Sequence, residues 1–283
     1  MSSYTDIRLI EMDQNSLFKT QKIKAKGKSI QTPIKAVDLS KISTRLNINK
    51  KMRGVNEIYK QVASETIDVA LKNPQAQSTF NYPLNSYSNR ANKEEEITLC
   101  FLEFKGQDYP SGKQLEFLVD TAYEYSDITP LPLIANMREK EFNEEKYTGF
   151  LKNAIEIIKQ LNKQPIMGII PPIGVTYIPE LIKFYLKNDI NSFCFDLDGK
   201  TPISMKQTIR SVMRTLNAGE KLEETFIHAL NVNPGRAIKN ANVINAKDIL
   251  GFGFGIDSLG ERHKRLKRPK EFLEQLLKKE IIT

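Results

Sequence analysis

From residue 97 onward the chain alternates short apolar runs with amphipathic stretches. Six runs read as strands: ITLCFLEF (97–104), PLPLIAN (130–136), PIMGIIPP (165–172), NSFCFDLD (191–198), TFIHALNV (225–232) and DILGFGFGI (248–256). Their starts lie about 23 to 35 residues apart, the length of one strand, one helix and two turns. Between them, EEKYTGFLKNAIEIIKQL, YIPELIKFYLKN and SMKQTIRSVMRTL carry apolar residues at helical spacing. Strands that are apolar almost throughout belong to parallel sheets covered on both faces. No glycine-rich dinucleotide fingerprint follows the first of them, so the pattern predicts an α/β fold closed as a TIM-type (β/α)8 barrel rather than an open doubly wound sheet.

The first 96 residues are less regular. SIQTPIKAV reads as a strand, RGVNEIYKQVASETIDVALK (53–72) as a helix, and residues 73–96 as a long polar loop. Taken together, 283 residues fit one barrel domain with an irregular amino-terminal portion. Residues 1–50 form its strand-rich extension, and residues 262–283 a basic carboxyl-terminal helix.

Composition narrows the function classes. The chain is 40% hydrophobic and 27% charged, with no apolar run approaching the ~18 residues of a membrane span and no export signal at its start. A cytoplasmic protein with no membrane partner is expected. Cys100 and Cys194 sit in apolar runs without ligand-spaced neighbours, which reads as packing; with only two histidines, neither a metal nor a cofactor is expected. His228, inside FIHAL, reads as a core histidine bonded to backbone. A net charge of +8 and a pI near 9.2 favour a polyanionic partner. The basic residues concentrate in KIKAKGK (22–28) and RHKRLKRPK (262–270).

In a parallel barrel the chemistry sits where strands end, which selects Asn136 and Arg138, Gly174 after Pro171 and Pro172, Asp196 and Asp198, Asn231 and Asn233, and Asp257 with Ser258. Carboxylates dominate that inventory. Asp196 and Asp198 either accept hydrogen bonds from a ligand on one strand face or build a turn over DLDG. Asp257 is either a catalytic carboxylate or, with Ser258, the cap of a following helix. The glycines of GFGFGI either leave room for a flat ligand or relieve crowding inside the barrel.

Several segments resemble the tRNA-guanine transglycosylase family in order along residues 25 to 265. GKSIQTPIKAV is similar to the family's opening hairpin, SDITPLP (126–132) to its Asp-x-x-Thr-Pro stretch, and FIHALNVNPGRAIKNANVINAKDILGFGFGIDS to the archaeal-type run that closes on Phe-Asp-Ser-Ala. That resemblance implies exchange of guanine in DNA or tRNA for a 7-deazaguanine base. Asp257 would be the nucleophile forming a covalent aspartyl intermediate. Asp127, Asp196, Asp198 and Gly174 would read the base, with Ser258 beside the nucleophile. Asn85 and Ser86, in LNSYSNR, stand where the family has Asp-Ser. Arg262, His263, Lys264, Arg265, Lys267 and Arg268 would clamp the phosphates around a flipped nucleotide. The family's zinc module is missing, as in its compact DNA-modifying branch, and pairing with itself or with a partner subunit stays open. Two other readings stand beside this one: a non-catalytic nucleic-acid-binding subunit, and a barrel enzyme acting on a phosphorylated metabolite.

Overall fold

The protein is described from a computed structural model that covers residues 5–13, 15–42, 54–135, 137, 142–161, 164–235 and 246–264. The chain begins with an antiparallel sheet of three strands, β1 (Asp6–Met12), β2 (Lys19–Ala25) and β3 (Lys28–Gln31), in that order. Along β2 every second residue is buried: Lys19, Gln21, Ile23 and Ala25. This period of two is that of a strand with one covered face.

Eight parallel positions then close a ring. The first is β4 (Ile34–Lys35) continued by β5 (Val37–Asp38), the second β6 (Val55–Ala63), and the third β7 (Ile97–Lys105). The fourth is β8 (Thr129–Pro130) continued by β9 (Leu133–Ile134). There follow β10 (Ile166–Ile170), β11 (Ser192–Asp196), β12 (Phe226–Leu230) and β13 (Ser258–Leu259). Parallel pairing runs from β5 through β6 and β7 to β9, and from β8 through β10, β11 and β12 to β13. Pairing of β13 with β4 shuts the circle, so the fold is the expected (β/α)8 barrel.

Helices α1 (Ser64–Lys72) and α2 (Pro74–Ser88) follow β6, and α3 (Gly112–Glu124) follows β7. Next come α4 (Glu144–Leu161), α5 (Ile178–Lys187), α6 (Lys206–Ala218) and the single turn α7 (Leu250–Gly253). The strands present apolar outer faces to these helices: Ile58 and Val62 of β6 pack with Ile67, Phe80, Leu84 and Leu118 of α1, α2 and α3.

Three elements differ from the sequence pattern. Residues 55–63 form a strand, not the start of the helix expected over 53–72: Glu57, Tyr59 and Gln61 alternate toward the polar interior of the barrel, while Ile58 and Val62 face the helices. The supposed loop after Asn73 is helix α2: Asn73 Oδ1 accepts from the backbone N–H of Gln75 and Ala76, Pro74 opens the first turn, and Phe80 and Leu84 are buried one turn apart. The glycine-studded run is a turn of helix. Gly251 packs against Leu259, Ile256 and Pro202, and Gly255 takes φ +89°, a left-handed conformation that ends α7 without a side-chain clash.

That last difference moves Asp257 to the other end of the molecule. The eighth barrel strand begins at Ser258, so Asp257 precedes it at the amino-terminal floor. The amino-terminal sheet closes this floor. Lys19 Nζ donates to the carbonyls of Leu222 and Thr225, just before β12; Lys26 Nζ donates to Ser126 O, before β8; Lys28 Nζ donates to Glu96 O, before β7.

Candidate active site at the mouth of the barrel

At the carboxyl ends of the strands the barrel opens into a cavity of about 510 Å³. The segment after β13 builds it. Gly260 passes so close to Glu57 that a Cβ there would collide with the Glu57 carboxylate and the Ala229 carbonyl, and the adjoining Glu261 N–H donates to Glu57 Oε2 at 2.9 Å. Asn231, at the end of β12, fixes the next turn: its Oδ1 accepts the N–H groups of His263 and Lys264, both at 3.1 Å, and its Nδ2 donates to Asp196 Oδ1 at 2.9 Å. These bonds aim two cations in different directions.

His263 turns toward the first two barrel positions. Its Nδ1 lies 3.3 Å from Asp38 Oδ2 and its Nε2 2.8 Å from Glu57 Oε2, while the Tyr59 ring stacks on it at 4.6 Å. Burial disfavours an imidazolium, but hydrogen bonds to Asp38 and Glu57 outweigh it and raise the His263 pKa to about 9. Burial pushes Glu57 up in turn, and the bonds from His228 and His263 overcome this, holding it at about 2. His228 is fully buried, its Nε2 2.7 Å from Glu57 Oε1, so its partner is a carboxylate rather than the expected backbone group.

Lys264 turns the other way. Its Nζ lies 2.7 Å from Asp196 Oδ2, 2.8 Å from Glu103 Oε1 and 3.5 Å from Asp198 Oδ1. Burial works against the ammonium, and Asp196 and Glu103 more than compensate, so Lys264 stays protonated above the ordinary lysine range. Tyr59 and Gln61 donate to the other Glu103 oxygen at 2.6 and 2.7 Å. Burial and the neighbouring Glu103 push the Tyr59 phenol far above its usual pKa.

Among the described residues two charged groups at the cavity remain available to a ligand. Asp198 is half-exposed, with its side chain 49% accessible, and φ +49° projects it from an Asx turn in which its N–H donates to Asp196 Oδ1 at 3.0 Å. Arg262 lies over Gly199. Its Nε donates to Lys264 O at 3.1 Å, and its terminal nitrogens have no hydrogen-bond partner among the described residues. Among the described residues no group of three or more His, Cys, Asp or Glu side chains is arranged to hold a metal ion.

Of the residues singled out from sequence, Asp196, Asp198, Arg262, His263 and Lys264 line this cavity with Pro171 and Pro172, and Asn231 braces it through its bonds to Asp196, His263 and Lys264. The others do not join them. Asp257 is fully buried on the floor, 3.2 Å from Lys19 Nζ, with Oδ2 accepting from Ile227 N at 2.8 Å. Asp127 is its counterpart beneath the fourth barrel strand, 2.6 Å from Lys28 Nζ and accepting from Thr98 N at 2.8 Å. Ser258 is buried inside β13, and Asn85 and Ser86 lie on α2 outside the barrel, where Asn85 Oδ1 accepts the Tyr125 hydroxyl. Gly174 follows the cavity-lining Pro171 and Pro172 without lining it. Asn136, Arg138, Arg265, Lys267 and Arg268 lie outside the described residues; of the carboxyl-terminal helix expected over 262–283 only 262–264 are described, and they are not helical. The sequence reading missed Asp38, Glu57, Tyr59, Gln61 and Glu103. The alternation of Glu57, Tyr59 and Gln61 is the signal that could have revealed a polar-faced strand.

No protein-family model matches the chain, and no curated protein matches it. Among solved structures it is similar to the carboxyl transferase domain of Rhizobium etli pyruvate carboxylase with 3-hydroxypyruvate, at 12% identity over 80% of this chain and 39% of that one, with a TM-score of 0.47. The chain thus spans about two fifths of that structure's length. It is also similar to QR15, an aldolase (11% identity, 87% of this chain and 96% of that one, TM-score 0.47), and to oxaloacetate acetylhydrolase (10%, 88% and 80%, TM-score 0.46). None of these is named a transglycosylase.

The resemblance to tRNA-guanine transglycosylases is therefore corrected, and with it the exchange of guanine for a 7-deazaguanine and the nucleic-acid partner. The floor position of Asp257 stands against it: the carboxylate is fully buried against Lys19, sealed from the cavity and unable to reach a sugar. Nor do His263 and Lys264 form a phosphate clamp, since carboxylates at 2.7 to 3.3 Å already neutralise them. No helix among the described residues is long and apolar enough to cross a membrane.

Proposed function

We propose that the protein is an enzyme acting on a small carboxylic acid at the barrel mouth, by proton abstraction of the lyase or aldolase kind. The observation that carries this is the pairing of one half-exposed carboxylate, Asp198, with one guanidinium whose end is free among the described residues, Arg262, beside a partly buried ammonium whose pKa is raised by Asp196 and Glu103. Arg262 pairs with the substrate carboxylate through parallel N–H donors. Asp198 removes a proton from carbon beside a carbonyl group, and the C–H electron pair passes to the carbonyl oxygen as an enolate. Lys264, fixed by Asp196 and Glu103, faces that charge without having to reorganise. Its proton is held too firmly for it to attack a carbonyl as a free amine, so borohydride is expected to trap no substrate adduct on it.

The test is proton exchange in deuterated water, followed by NMR, across a panel of 2-oxo and 2-hydroxy acids. Wild-type protein is expected to exchange the proton beside the carbonyl of at least one acid. Asp198→Asn is expected to lose exchange at least 100-fold, and Arg262→Gln to need roughly 10- to 100-fold more acid. Absence of exchange with every acid, together with identical behaviour of both variants, overturns the proposal.

A further inference from the structure

The walls of the mouth cavity are segregated. The polar and ionic groups come from β6 (Tyr59 and Gln61), β7, the end of β11 with the turn after it, and the segment after β13, whereas the fourth and fifth barrel positions contribute Leu133, Ile134, Met137, Ile169, Pro171 and Pro172. In a ring of eight strands the fourth position lies diametrically across from the eighth, which carries Arg262. Among the described residues the donor on this side is the Tyr147 hydroxyl, which is directed at Ile169 O at 3.5 Å, and neither proline has an N–H. Leu133 and Ile169 are buried in the barrel core, while Ile134 and Met137 are only partly covered and face the opening.

From this we infer that the substrate is an amphipathic monocarboxylic acid, bound with its carboxylate at Arg262 and an aliphatic tail laid across the mouth against the fourth and fifth barrel strands. The inference rests on the reading of this cavity as a carboxylic-acid site and adds the chemistry of the other end. A second carboxylate at the tail would lose its hydration against Ile134, Pro171 and Pro172, with no cation among the described lining residues on that side to replace it. A methylene there gains contact with a wall that offers water little to bond to.

Calorimetric titration with acetate, butyrate, hexanoate and succinate reads this directly, without turnover. Affinity is expected to rise about threefold to fourfold per added methylene, and succinate is expected to bind more weakly than butyrate. Met137→Ser is expected to shrink the step per methylene while leaving acetate affinity unchanged; Arg262→Gln is expected to weaken every monocarboxylate by a common factor and keep the step. A flat series in which short acids still bind, or tighter binding of succinate than of butyrate, overturns the tail but spares the carboxylate site. Failure of every acid to bind overturns both.

Discussion

Two lysine–carboxylate clusters occupy opposite ends of this barrel, and their residue types are almost the same. On the floor, Lys19 and Asp257 are 1% and 0% exposed, and the amino-terminal sheet lies over them. At the mouth, Lys264 is 20% exposed and Asp198 49%, and both border an open cavity. The floor pair spends its charge on docking. Lys19 meets two backbone carbonyls and Asp257 meets a backbone N–H, so that cluster fastens the sheet to the strand starts. The mouth cluster leaves one carboxylate and one guanidinium facing space. A charged pair is a candidate for chemistry only where a ligand can reach it, and chain order decides this through which side of a strand each residue flanks.

The sharpest way to break the comparison is to remove a floor charge. Asp257→Ala leaves Lys19 buried without its counter-ion, which is expected to cost about 3–5 kcal/mol of stability, measured by urea denaturation. Replacing both partners, Lys19→Met with Asp257→Leu, is expected to recover most of that loss, since two apolar groups leave no charge behind. Proton exchange per folded molecule should not change in either variant. A lost exchange activity in a well-folded double variant would return Asp257 to the chemistry.

The same positions show what the sequence made legible. Strands β7, β10, β11 and β12 and helix α4 were readable because their residues are apolar on the period their structure demands. That sufficed for the barrel. Glu57, Tyr59 and Gln61 were hidden because β6 carries its polar residues inward, inverting the usual signal. Asp257 was misassigned because GFGFG is apolar but too lightly substituted to mark a period, and the real strand after it spans only Ser258 and Leu259. An error of one element at that point exchanged the floor for the mouth. Asp196 and Asp198 were legible as mouth residues by position, because β11 ends on a recognisable Asp and Gly turn.

A second, smaller effect separates the two ends by pH. The folded pKa of Asp257 is raised to about 6 by burial, against the pull of Lys19, so its contribution is complete below the ordinary carboxylate range and fades as pH rises through about 6. His263 is also raised, to about 9, so the mouth holds its contribution below pH 6.5 and loses it as pH climbs through about 9. Glu57 runs the opposite way, its contribution present above 4.5 and lost on acidification through about 2. Between pH 6.5 and 9 the urea midpoint of the wild type is therefore expected to fall, by the order of 2–3 kcal/mol. His263→Gln should flatten that interval and leave the decline near pH 6 in place. A decline that persists unchanged in His263→Gln would assign it to another group.

The smallest expected effect is the most informative about the mouth, because it divides two aspartates separated by one residue. Asp196 Oδ2 holds Lys264 and its Oδ1 accepts from Asn231 and from the Asp198 N–H, so Asp196→Ala strips partners from three groups and is expected to cost about 2 kcal/mol. Asp198 gives up only a 3.5 Å contact to Lys264 and is already half in solvent, so Asp198→Ala is expected to stay within about 0.5 kcal/mol of wild type. Activity should rank the other way. If Asp198 is the base, its alanine variant is stable and inert, whereas the Asp196 variant keeps some exchange through a Lys264 still held by Glu103. Denaturation and exchange measured on the same two variants thus separate a carboxylate that positions the ammonium from one that meets the substrate, and equal losses in both assays would collapse that distinction.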